Sequence, residues 1–141
     1  MSDPDQRPKP ENRQEAKRWL EIVDEDIDVA IAAARLSRRG ASAYHVQQAA
    51  EKLLKALLVL AGEPFRRTHD LNDLAIRLVP VYPQFIQQAE AVRPLSIWGI
   101  AYRYPSLEDA PEPLPDSEEL ERSIAMLREF AELAHSLIQE G

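Results

Sequence analysis

The stretch at residues 41–61, ASAYHVQQAAEKLLKALLVLA, decides the fold. Turned at about 100° per residue, it sorts its side chains into two sectors. Val46, Ala49, Ala50, Leu53, Ala56, Leu57 and Leu60 form a broad apolar sector, with Leu54 and Ala61 at its edge. Tyr44, His45, Gln47, Gln48, Glu51, Lys52 and Lys55 fill a polar arc opposite, and only Leu58 and Val59 break the separation. An apolar face this wide belongs to a helix packed against two neighbours. The arc mixes aromatic, amide, imidazole, acid and amine groups, unlike the Glu/Lys pairs that merely solubilise a helix. Two readings of it stand: a solvated or helix–helix face, or a binding face.

Upstream, residues 1–11 carry Pro4, Pro8 and Pro10 among charges and read as a disordered lead-in to a helical domain at 12–141. Asn12 with Glu15 resembles a capping box. A helix to about Arg38 should follow, with Ala16, Leu20, Val23, Ile27, Ala30 and Ala34 on its stripe and Trp19 and Ile31 widening it. Its acids Asp24, Glu25, Asp26 and Asp28 read as a solvated face, since no His lies at ligand spacing for a metal. Arg35, Arg38 and Arg39 suit the last turn, where cations complement the helix dipole. Gly40 is the expected stop. So short a connection makes the first two helices an antiparallel hairpin.

Downstream, Gly62 and Pro64 end the second helix. Thr68 or Asp70 can cap a third, with Leu71, Leu74, Ala75 and Leu78 on its buried side and Pro80 and Pro83 beyond it. A fourth helical region is expected at 83–102, broken near Pro94, with Phe85, Ile86, Ala89, Val92, Leu95, Ile97, Trp98 and Ala101 as core candidates. Four prolines at 105–115 forbid regular structure. Asp116 with Glu119 can cap a last helix whose stripe is Leu120, Ile124, Leu127, Ala131, Ala134 and Ile138. The expected fold is all-α, an antiparallel up-and-down bundle of four to five helices.

The 141 residues suffice for one core. Cysteine is absent, which excludes disulfides, thiol chemistry and Cys-based zinc sites. No signal-peptide pattern or membrane-length apolar run is present, so a cytoplasmic protein without membrane association is expected. The net charge of −7 is unevenly spread: residues 35–105 carry ten bases against five acids, and residues 106–141 two against ten. The acidic total opposes general nucleic-acid binding, while the basic middle can attract phosphate locally or pair with the acidic ends. Glycine-rich phosphate loops, nucleophile elbows and paired-His metal patterns are missing, and no cofactor is expected. His135 reads as a surface residue, His69 as a turn-fixing neighbour of Asp70, and His45 as exposed or at an interface. Arg103 stands between Tyr102 and Tyr104 ahead of Pro105, placed to pair with a loop acid or to clamp a phosphate.

Four segments together resemble a known family. The run YHVQQAAEKLLKALL at 44–58 is similar to the signature helix of HEPN domains (higher eukaryote and prokaryote nucleotide-binding domains). A turn at Gly62, Thr68-His69-Asp70-Leu71-x-x-Leu74, and Tyr102-Arg103-Tyr104-Pro105 follow in the expected order, and the resemblance spans roughly residues 14–138. It implies an all-α bundle, commonly a homodimer, often encoded beside a minimal nucleotidyltransferase partner in a toxin–antitoxin-like pair. Many members of the superfamily are metal-independent ribonucleases with an Arg followed, after four to six residues, by a His. Arg103 matches that arginine, but Glu108, Asp109 and Ala110 stand where the His would fall, so acid–base work would pass to a carboxylate, Tyr104, His45 or His69.

Three readings follow. One is a dimeric module that binds a nucleotide or RNA, a nucleotidyltransferase, or both, through Tyr44, His45, Gln48, Glu51, Lys52, Lys55, His69 and Asp70. Another is a ribonuclease toxin with Arg103 and Tyr104 as catalytic residues. The last is a purely structural bundle whose polar arc is a dimer seam.

Overall fold

The computed structural model describes residues 7–65, 67–101 and 114–140, with only the backbone for Ile100 and Ala101. Its α-helices are α1 (Pro10–Arg35), α2 (Arg39–Ala61), α3 (Leu71–Leu78), α4 (Ile86–Val92), α5 (Trp98–Ala101) and α6 (Ser117–Gln139). The all-α expectation holds. The three long helices α1, α2 and α6 form the body of the bundle, the short α3 and α5 cover the remaining side of α2, and α4 packs on α3.

Helix α1 starts at Pro10, two residues before the expected cap, behind Lys9, which makes no side-chain cap. Proline suits the first helical position, because its missing N–H would have had no intrahelical partner and its φ is already helical. The turn into α2 is also displaced. Gly40 lies inside α2, and Arg38 and Arg39 belong to the start of that helix instead of the end of α1. The reversal falls on Ser37, which takes the left-handed conformation at φ 58°. Around it, Arg38 N donates to Ala33 O at 2.8 Å and Ser37 N to Ala34 O at 3.0 Å. That is a Schellman ending with serine in the place usually held by glycine. The hairpin is then latched by the buried Ser42 hydroxyl, which donates to Ala30 O at 2.8 Å.

Helix α2 is the central element and packs against α1, α3, α5 and α6. Leu53, Leu54, Leu57, Leu58 and Leu60 are all fully buried. Leu58, which breaks the sequence pattern, is therefore no anomaly, since α2 has no fully solvated side. Gly62 ends the helix at φ 73°, with Glu63 N donating to Leu58 O at 3.0 Å. Helix α6 runs antiparallel to α1. Arg13 near the start of α1 donates to the Ile138 carbonyl, and Arg39 Nη1 donates to Pro115 O at 3.4 Å at the other end. Asp116 caps α6 as expected, accepting from Glu119 N at 2.8 Å.

In the fourth region Pro83 opens a 3-10 turn (Pro83–Phe85) before α4, and Pro94 sits in a second (Arg93–Ile97) before α5. Phe85, Ala89, Val92, Leu95 and Trp98 are buried, while the core candidates Ile86 and Ile97 are exposed. Each of these two lies at a junction between 3-10 and α geometry, where the tighter winding shifts the direction of successive side chains.

Two substitutions test this account. Ser37→Gly should raise stability by about 0.5–1 kcal/mol, because it relieves a left-handed residue that carries a Cβ. Leu57→Ala should cost about 2–5 kcal/mol, as expected for emptying a fully buried site. Urea unfolding followed by circular dichroism measures both.

Candidate functional site

The polar arc of α2 is not a solvated face. Gln47, Glu51 and Lys55 recur every fourth residue and are 3%, 4% and 6% exposed. Charges that deep must be paired or neutralised. Lys55 Nζ donates to Glu51 Oε2 at 3.3 Å, and His69 Nδ1 lies 3.2 Å from both oxygens of the same carboxylate. The Lys55 ammonium also sits 5.9 Å from the ring centroids of both Trp19 and Phe65, which meet edge to face at 6.5 Å. Cation–π attraction and one ion pair together hold this lysine inside the fold.

A second cluster joins α1 to α2. Asp26, a buried residue of α1, takes His45 Nδ1 on Oδ1 at 3.0 Å and Lys52 Nζ on Oδ2 at 2.7 Å. With the Nδ1 proton directed at the carboxylate, the lone pair of a neutral His45 resides on Nε2. The imidazole is 29% exposed, Lys52 is 23% exposed, and the Tyr44 ring meets His45 edge to face at 5.3 Å. One turn along, Gln48 Nε2 donates to Gln47 Oε1 at 2.8 Å. Gly99 of α5 is pressed onto Gln47 so closely that a Cβ there would stand 2.5 Å from Gln47 Cδ. A larger residue there would require the Gln47 side chain to shift.

Of the residues singled out in sequence, Tyr44, His45, Gln48 and Lys52 form the half-buried, accessible part of α2, and Glu51 and Lys55 lie beneath. His69 joins them through Glu51, which corrects its reading as a companion of Asp70. Asp70 serves the fold: its Oδ1 accepts from Asn72 N at 3.0 Å and caps α3. Thr68 instead accepts from Asp70 N at 3.1 Å. His135 pairs with Asp24 at 3.1 Å, between α6 and α1. Arg103 and Tyr104 lie outside the described residues.

The residue missed in sequence is Asp26. It had been grouped with Asp24, Glu25 and Asp28, which are exposed. Its register carried the signal. Asp26 follows Val23 by three residues and precedes Ala30 by four, and both are buried, so it rides on the core stripe. Among the described residues no three His, Asp or Glu side chains converge as metal ligands.

Chemically, the accessible part of α2 offers a carboxylate-oriented imidazole, an ammonium, an amide and a phenol. The first is the form of a general acid–base group, and the others hydrogen-bond phosphates or base edges. The ion pair beneath is testable. A double-mutant cycle on Asp26 and Lys52 should give a coupling of about 1–3 kcal/mol. The exposed Glu118–Arg122 pair should give a coupling near zero in the same unfolding assay.

The family model described as HEPN domain matches residues 16–137, from the first turns of α1 to the last turns of α6. No curated protein and no solved structure gives a significant match. The matched span includes both charge clusters of α2 and nearly the whole bundle, so the chain belongs to the HEPN domain family.

Proposed function

We propose that this HEPN-domain protein is a dimeric interaction module that engages a nucleotide or polynucleotide and works with a minimal nucleotidyltransferase partner in a toxin–antitoxin-like pair. The observation that carries the reading is the accessible group Tyr44, His45, Gln48 and Lys52 on one face of α2, seated on the charges of Asp26, Glu51 and Lys55. An aromatic ring for base stacking beside an ammonium for phosphate is the minimal equipment of a nucleotide face. The excess of bases over acids at residues 35–105 favours the same ligands.

Sedimentation of the purified chain should give the mass of two copies, and a pull-down from host lysate should retain a nucleotidyltransferase. Titration with ATP or with single-stranded RNA should show binding that Tyr44→Ala and Lys52→Ala weaken about ten-fold, a loss of about 1.4 kcal/mol. A monomer that binds neither ligand and retains no nucleotidyltransferase overturns the proposal. A dimer indifferent to nucleotides and to Lys52→Ala points to a purely structural bundle instead.

A second reading, a metal-independent ribonuclease using Arg103 with Tyr104 beside it, is favoured by one observation. His45, oriented by Asp26 and partly open to solvent, supplies the kind of imidazole that the Arg103 segment lacks in sequence. Expression should then arrest growth and degrade RNA, with Arg103→Ala and His45→Ala each relieving the arrest. A harmless wild-type chain that leaves RNA intact removes this reading.

A further inference from the structure

Where the C-terminal end of α1 meets the N-terminal half of α6, the two helices leave an open groove of about 350 Å³. Its floor is apolar, built from Ile31 of α1 with Leu120 and Ile124 of α6. Its polar lining is largely cationic. Arg35, the last residue of α1, Arg39, the first of α2, and Arg128 of α6 all border it. Glu121 is the one acid among the residues lining this groove, and Arg128 also borders the adjoining groove of Asp24, Asp28 and Glu132. Arg39 spends one N–H on the Pro115 carbonyl at 3.4 Å. Arg35 and Arg128 form no ion pair with any described residue.

Three guanidiniums bordering one groove favour an anion there. Guanidinium binds phosphate oxygens in bidentate fashion, so a phosphate monoester suits this lining. The apolar floor adds what a free inorganic anion does not use. An apolar concavity with a few polar groups, in the range of roughly 300–1,000 Å³, is the usual form of a small-molecule site.

We propose that this groove binds a phosphate monoester of a small aromatic or aliphatic group. Arg35, Arg39 and Arg128 hold the phosphate, and Ile31, Leu120 and Ile124 take the apolar group. The site shares no residue with the half-buried group Tyr44, His45, Gln48 and Lys52, and it does not rest on the function proposed above.

The test is calorimetric titration of the full chain with 1-naphthyl phosphate, beside inorganic phosphate and 1-naphthol as its two halves. The ester should bind about ten-fold or more tightly than either half. Arg35→Gln combined with Arg128→Gln should weaken it by about the same factor. Ala125→Phe, which fills the exposed wall of the groove without changing its charge, should also weaken it. Arg77→Gln, on α3 and outside the groove lining, should leave it unchanged. Circular dichroism melting confirms that each variant is folded, and Arg35, Arg128 and Ala125 are exposed, so the core is untouched. Absence of binding at millimolar ester overturns the proposal. So does equal binding of inorganic phosphate and ester, or binding that survives the double arginine change.

Discussion

A helix surrounded by neighbours can keep charged side chains only where each finds a counter-charge, because the transfer of an unpaired ion out of water costs several kcal/mol even after relaxation. The second helix meets this condition at two places. Glu51 answers Lys55 and His69, and Asp26 reaches across from the first helix to answer His45 and Lys52. The remaining packing follows from these pairs. The first helix must present Asp26 in register, the Trp19 and Phe65 rings must flank Lys55, and the segment before the third helix must bring His69 over Glu51.

These pairs also link the hairpin to the polar face of α2. The Asp26 carboxylate joins two helices and at the same time fixes the ring of His45, so one interaction supports both the fold and the polar face. Beneath that face the charges are buried and paired, while Tyr44, Gln48 and Lys52 reach partway to solvent. The face proposed for binding is thus built from polar groups that the core already holds in place. The groove between the first and last helices differs in kind. Its arginines, two at the α1–α2 turn and one midway along α6, border an apolar floor.

Much of the architecture was legible from periodicity. The wide apolar sector of the second helix, the stripes of the first and last, and the Asp116 cap all appear where side-chain spacing placed them. The turn between the first two helices did not, because a left-handed serine at Ser37 carries no signature that competes with the nearby Gly40. The 3-10 segments around Pro83 and Pro94 turned Ile86 and Ile97 outward, and hydrophobicity alone cannot register such a change of winding.

The sequence by itself determined the fold class, the hairpin and the family, since all three rest on local spacing and on motifs that are short and contiguous in the chain. Only the tertiary structure decided what the polar arc of the second helix is. Glu51 and Lys55 became interior groups, His69 became their partner, and Asp26 emerged as the carboxylate that orients His45. The reason is physical. Helical periodicity states which residues share a face, but burial and pairing depend on what another part of the chain, 18 or 19 positions away for His69 and Asp26, brings against that face.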